Sequence, residues 1–340
     1  MGETAKRLKN YYNIKIFCTD PSGKDVGNYI WNDIEVNVCS AFSRSYCFSP
    51  SLYTFLKKEE FDIIHIHGFT TFCLLAGILN HKKSLIILNT YYHFHGSTLF
   101  YSLIRKFYDP IFSLLVQKKV DKIIAISQAE KELINNNLKI HDNIEIISPG
   151  VNIKQIQRSK PFNFEGKLVL YVGRLEKYKN VHLTIQAIQK LPNYFYFYII
   201  GNGSFNSELR QIILKLKLEN RVKILHNISD NEIYQWMKSC DVFITLSNLE
   251  SFGITVIEAL TAGKPVIVSN IPSLSEFVNE FNDSVFSINL DDQNIDDIVK
   301  CISKASKMKI KVNTQRYSWD ETVEELKKIY KDLQNNMVFE

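Results

Sequence analysis

Cysteine is scarce and scattered in this chain, with six in 340 residues (Cys18, Cys39, Cys47, Cys73, Cys240 and Cys301) and no Cys-x-x-Cys pair. Such spacing argues against structural zinc and thioredoxin-like chemistry, and it outlines no disulfide framework. Proline and glycine are also few, at 8 and 13 positions, which argues against a disordered or fibrous chain. No run approaches eighteen uninterrupted apolar residues, so no membrane-spanning helix is expected. The opening MGETAKRLKN is charged where a secretion signal would be apolar. A large excess of one charge is missing too: Lys plus Arg minus Asp plus Glu is 41 − 36 = +5. An obligate nucleic-acid binder needs clustered basic residues, so nucleic acid is not an expected partner. These absences together describe a reduced, cytoplasmic, soluble protein.

What the chain does have is apolar bulk. Hydrophobic residues make up 45%, with 22 Phe and 17 Tyr, enough for two medium domains. Short β-branched runs alternate with amphipathic ones. NIKIFC (13–18), DIIHIH (62–67), LIILNT (85–90), KIIAIS (122–127) and IEIIS (144–148) read as buried strands. SLYTFLKKE and the run from Phe72 to Leu79 read as helices between them. The segment VNIKQIQRSKPFNFEG (151–166) has no clean period and reads as a linker. Alternation then restarts with KLVLYVG (167–173), a helix over 181–190, FYFYIIG (195–201) and a helix over 207–216. Strands VKIL (222–225), VFITLS (242–247) and PVIVS (265–269) follow. A closing helix over 319–334 shows one apolar face through Val323, Leu326, Ile329, Tyr330 and Leu333. The pattern predicts two tandem α/β domains with parallel sheets. In such sheets ligands bind at the carboxyl ends of strands, so the residues just after strands carry the functional question.

Two motifs stand at such positions. Glu250-Ser-Phe-Gly-Ile-Thr-Val-Ile-Glu258-Ala follows VFITLS and enters a helix. Ser251, Phe252 and Gly253 fall where free backbone N–H groups and the helix dipole favour an anion. Glu258 lies among apolar residues, where a carboxylate needs hydrogen-bond donors that ligand hydroxyls would supply. The purely structural alternative has Glu250 capping the helix and Glu258 paired with Lys264. Gly173-Arg174-Leu-Glu-Lys-Tyr-Lys179-Asn180 follows KLVLYV. An Arg fork and a Lys point charge on one loop suit a diphosphate held without a metal. The alternative is an ordinary solvated basic loop.

These motifs, Gly-Arg-Leu-x4-Lys and Glu-x7-Glu within Glu-Ser-Phe-Gly, resemble the donor-binding domain of family 4 retaining glycosyltransferases. The resemblance extends to Ser127-Gln-Ala-Glu-Lys, to Ser148-Pro-Gly-Val-Asn and to Tyr317-Ser-Trp-Asp at the start of the closing helix. It implies the α/β GT-B fold, two Rossmann-like parallel-sheet domains facing a central cleft. By that resemblance residues 1–152 form an acceptor-side domain and 153–316 the nucleotide-sugar domain. Residues 317–340 form a closing helix that crosses back to the first domain.

Roles follow from the same resemblance. Arg174 and Lys179 hold the donor diphosphate, and Glu258 binds the ribose hydroxyls. Glu250 faces the transferred sugar, near the N–H groups of Phe252, Gly253 and Ile254. Gly173, Gly201 and Gly203 line the nucleotide side. His93, in Thr90-Tyr-Tyr-His93-Phe-His95-Gly96, matches the histidine that contacts the sugar near its anomeric centre. No cofactor is implied beyond the substrate itself, a UDP- or GDP-sugar. The implied acceptor is the hydroxyl of a glycan or lipid-linked glycan. A peripheral contact with the inner membrane face is a further expectation, with Leu99–Lys119 as an interfacial helix pair or, alternatively, a core-packed one. The His65-Ile-His67 and His93-Phe-His95 pairs lack acidic or thiolate ligands at fitting spacing, so no metal is expected.

The resemblance has gaps. Met1–Leu8 resembles the helix after the family's first glycine loop, so the first strand and most of that loop are expected to be missing. That departure sets up the alternative of a catalytically impaired nucleotide-sugar-binding module or a partner subunit of a complete enzyme. His226 stands where glycine is common, and Leu246-Ser247 replaces a frequent Pro-Ser.

Overall fold

A computed structural model describes residues 2–42, 46–69, 71–80, 84–92, 99–291 and 294–337. The chain divides into two compact units, residues 1–149 with 319–340, and residues 150–318.

The first unit opens with helix α1 (Gly2–Leu8), then β1 (Lys15–Asp20), β2 (Gly27–Trp31) and β3 (Ile34–Ser40). These strands form a sheet of order β1-β3-β2, parallel between β1 and β3 and antiparallel between β2 and β3. The hairpin departs from the all-parallel expectation. Its two-residue turn, Asn32-Asp33, has φ of 47° and 59°, the doubly left-handed backbone that matches strand twist in a tight hairpin. Next come α2 (Pro50–Lys58), β4 (Ile63–His67), α3 (Phe72–Leu79), β5 (Leu85–Asn89), α4 (Leu99–Lys119), β6 (Lys122–Ala125), α5 (Gln128–Leu133) and β7 (Ile144–Ile146). Strands β4-β5-β6-β7 are all parallel. Segment 99–119 is one helix with Pro110 inside, rather than a helix pair.

The second unit begins with α6 (Ile153–Arg158), a helix inside the segment read as linker. Six residues are too few to display a period, but Ile153 and Ile156, one turn apart, are both buried. Then follow β8 (Lys167–Val172), α7 (Val181–Lys190), β9 (Phe195–Ile200), α8 (Asn206–Lys215), β10 (Val222–Leu225), α9 (Asp230–Ser239), β11 (Val242–Thr245), α10 (Ile254–Thr261), β12 (Val266–Ser269), α11 (Pro272–Glu280), β13 (Val285–Ile288) and α12 (Ile295–Ala305). All six strands are parallel in the order β10-β9-β8-β11-β12-β13. This is a doubly wound sheet whose strand order reverses between β8 and β11. Strands β8, β11 and β12 are almost wholly buried, which explains their continuous apolar runs.

The last helix, α13 (Trp319–Met337), packs in the first unit. Its Val323, Leu326, Ile329 and Tyr330 share a core with Leu8, Ile87, Ile124 and Ile147. The apolar face read from the sequence is the face that is buried.

Candidate active site

The two motifs leave the sheet of the second unit at β8 and β11, the neighbouring strands where the order reverses. Helices on opposite faces of a doubly wound sheet carry the loops apart there and leave a ligand crevice. The loop after β8 makes one 3₁₀ turn, Lys177–Lys179, before α7. Lys179, only 8% exposed, donates from Nζ to Glu250 Oε2 on the β11 loop and lies 5.3 Å from the centre of the Tyr178 ring. Arg174 is exposed, and its Nη2 donates to Tyr178 Oη at 2.8 Å. Its carbonyl accepts from Tyr171 Oη at 2.8 Å, and burial pushes the Tyr171 phenol well above its ordinary range. Desolvation of two buried charges largely cancels their attraction. The Lys179–Glu250 pair is therefore poorly explained as a source of stability.

Further bonds join the two loops. Asn180 Nδ2 donates to the Leu246 carbonyl at 2.9 Å and to Asn248 Oδ1 at 2.8 Å. The Asn248 N–H donates to the Tyr178 carbonyl at 2.9 Å. From α11, Ser273 Oγ donates to the Glu250 carbonyl at 2.7 Å and holds the β11 loop from its other side. None of these side chains had a role in the sequence reading. The one local signal was Asn180, because asparagine tolerates the left-handed backbone (φ 54°) found at that helix start.

Gly253 precedes α10 with φ 99°, and a Cβ there would come within 2.8 Å of Leu274 Cδ2. Phe252 turns its ring into the core against Phe277 and Tyr317, leaving only its backbone for a ligand. Ser251 is half-buried and Ile254 exposed. Glu258, on α10, is half-buried, and its carboxylate makes neither a hydrogen bond nor an ion pair among the described residues; the alternative pairing with Lys264 does not form. Burial, and secondarily the charge of Asp230, pushes its carboxyl up to about 7.

Gly173 and Gly201 meet backbone to backbone. A Cβ on Gly201 would lie 1.9 Å from the Gly173 carbonyl oxygen, and one on Gly203 would lie 2.3 Å from that of Leu175. These glycines thus have a packing reason of their own. His226, where the resemblance led to glycine, faces the Gly201 carbonyl through Nδ1 at 2.7 Å and Arg210 through Nε2 at 3.1 Å.

In the first unit, His93 and His95 lie outside the described residues. The turn leading to them starts at the end of β5 and rests on Glu130, a buried carboxylate. Glu130 accepts from Thr90 Oγ1 at 2.6 Å, from the Ile126 N–H at 2.7 Å and from the Tyr92 N–H. Burial still raises its carboxyl above the ordinary range. His65 and His67 share a face of β4, with ring centres 4.7 Å apart. His65 faces Tyr330 Oη at 2.7 Å and Asn89 Oδ1 at 2.5 Å, and burial lowers it to about 4. Both are thus neutral imidazoles near pH 7, since burial also holds His67 well below its usual value. Among the described residues no group of three or more His, Cys, Asp or Glu could hold a metal ion.

A doubly wound parallel sheet carrying two cations and a carboxylate at its switch point defines an α/β protein of the Rossmann-like class. Residues 152–319 match the model of glycosyl transferases group 1, and residues 2–155 that of glycosyltransferase family 4. The chain belongs to this family: it is a glycosyltransferase with the GT-B fold. The O-antigen biosynthesis glycosyltransferase WclY of Escherichia coli is 28% identical over 291 residues, covering 81% of this chain and 76% of the relative. The GDP-mannose:cellobiosyl-diphosphopolyprenol alpha-mannosyltransferase of Xanthomonas oryzae pv. oryzae is 24% identical over 275 residues, covering 78% and 71%. Among solved structures, Anabaena HepE in complex with UDP-glucose superposes with a TM-score of 0.72 at 18% identity, over 94% of this chain and 99% of that one.

Proposed function

We propose that this glycosyltransferase moves a sugar, with retention and without a divalent ion, from a nucleoside-diphosphate donor to a hydroxyl of a glycan or lipid-linked glycan. The observation that carries the donor half is the convergence of Arg174, Lys179 and Glu250 at the switch point of the second unit. Positive charge from Arg174 and Lys179 offsets that of the diphosphate, and stabilises it as it leaves, by fixed electrostatics. The diphosphate takes the place of Glu250 at Lys179. The freed carboxylate then accepts hydrogen bonds from the sugar hydroxyls, and the N–H groups of Phe252, Gly253 and Ile254 face the sugar or phosphate. Glu258 accepts from the ribose hydroxyls, which supply the donors it lacks in the free chain. Gly173, Gly201 and Gly203 let the backbone come close to the nucleotide. His93 keeps the sugar contact that the family resemblance gives it.

A relative named for GDP-mannose and a diphosphopolyprenol acceptor, and a similar fold with UDP-glucose bound, favour GDP or UDP as the nucleotide and a lipid-linked glycan as the acceptor. Exposed Ile111 and Leu114 beside Lys118 and Lys119 on α4 suit a peripheral contact with the membrane that holds such an acceptor. Among the described residues no helix is long and apolar enough to cross it.

Melting the chain with UDP, GDP, UDP-glucose and GDP-mannose, in EDTA and then in magnesium, tests the reading. Binding to the native state raises the melting temperature. One nucleotide is expected to do so equally with and without the ion, and K179A and R174A are expected to lose the shift. A shift that requires magnesium, or survives in both variants, overturns the assignment.

A further inference from the structure

Beyond Val172 and Thr245 the strands β8 and β11 end, and the two loops that carry the proposed donor site are no longer held by sheet pairing. Asn180 stands at their junction. It is 9% exposed, and both N–H bonds of its amide are used, one on the Leu246 carbonyl and one on Asn248 Oδ1. The two acceptors lie four and two residues before Glu250, and Asn180 itself directly follows Lys179. Its backbone is left-handed, at φ 54°. Glycine would adopt that conformation with less strain, so the backbone alone does not explain the side chain. What glycine lacks is the amide that fastens one loop to the other.

We propose that Asn180 is a positioning residue of the transfer reaction: its amide clasps the β11 loop so that Lys179 and Glu250 are held together and Lys179 is presented to the donor diphosphate. This rests on the reading of Lys179 given above. The clasp works in one direction of consequence. Without it the 3₁₀ turn and the β11 loop keep the Asn248 N–H to Tyr178 carbonyl bond and the Lys179–Glu250 pair; once the diphosphate takes the place of Glu250, the Lys179 ammonium is less firmly held against that loop. Placement to within about 0.5 Å decides whether a charged group acts on a bound phosphate or merely near it.

The test is a double-mutant cycle on nucleotide affinity, read by calorimetric titration with UDP and with GDP on the unaltered chain, N180G, K179A and N180G/K179A. Glycine suits the backbone, so N180G is expected to melt within a few degrees of the unaltered chain. It is expected to weaken binding about tenfold, yet less than twofold when Lys179 is already absent, because residues acting through one group are not additive. Unchanged affinity in N180G, or the same loss with and without Lys179, overturns the clasp while K179A upholds the site. Unchanged affinity in K179A overturns the reading of Lys179 itself and the clasp with it, as does failure of the unaltered chain to bind either nucleotide.

Discussion

Glu258 makes a prediction in which stability and binding move in opposite directions. Its carboxyl is raised from the ordinary 4.5 to about 7, first by burial and then by Asp230. Below pH 4.5 both native and unfolded chains carry the proton, and the site costs nothing. Between about pH 4.5 and 7 the unfolded chain releases the proton while the native chain keeps it, so stability falls as pH rises. Above pH 7 the whole penalty stands. The shift corresponds to about 3 kcal/mol, and partial access of water to the carboxylate reduces this to about 2 kcal/mol. E258Q removes the charge and keeps the shape. It is expected to be about 2 kcal/mol more stable than the unaltered chain at pH 8 and indistinguishable from it at pH 4. Urea unfolding from pH 4 to 8.5 reads the difference directly. The same variant is expected to bind its nucleotide about tenfold or more weakly, because a neutral amide accepts less well from ribose hydroxyls than a carboxylate does. A variant less stable at pH 8, or a stability difference that does not change with pH, would refute the reasoning about burial. Full affinity in E258Q would refute the ribose role.

Other perturbations test the scaffold. G201A forces a Cβ toward the Gly173 carbonyl oxygen and is expected to cost about 3 kcal/mol or more in urea unfolding; G23A, whose Cβ would meet nothing within 4 Å, should cost about 1 kcal/mol through its positive φ alone. E130Q turns an amide donor toward one of three donors, and a loss of about 2 kcal/mol is expected. Hydrogen exchange should show that loss first at the Tyr92 and Ile126 amides, and unchanged protection there would remove Glu130 from its place in the turn.

The sheet of the second unit was legible because its strands are buried on both faces and therefore read as unbroken apolar runs. VKIL is the strand Val222–Leu225 to the residue, and the helix read over 181–190 has the bounds of α7. The hairpin of the first unit was not, because β2 is an edge strand whose last four residues are exposed and so carry no burial pattern. Its one signal was the Asn32-Asp33 pair between two apolar stretches. α6 escaped for want of length. The charged members of the site stood out through their motifs. Their holders, Tyr178, Asn180, Asn248 and Ser273, did not, because the cited contacts join residues 23, 68 and 70 positions apart in the chain and no local spacing encodes them. The glycines were legible as a pattern, and Gly201 and Gly203 are in addition demanded by neighbouring backbone, which the pattern alone does not reveal.

The first unit is discontinuous, since its sheet face is completed by α13 only after residues 150–318 have been made. During synthesis, which runs at about 5–20 residues per second, Ile87, Ile124 and Ile147, with only Leu8, Tyr12, Ile14 and Ile63 of their cluster at hand, therefore wait for Val323, Leu326 and Ile329. The second unit, all of one stretch, has no such delay. Order of emergence and order of completion are thus reversed: the half translated later is free to close first, and for about 10–30 seconds the earlier half keeps an incompletely covered apolar face of the kind that chaperones bind.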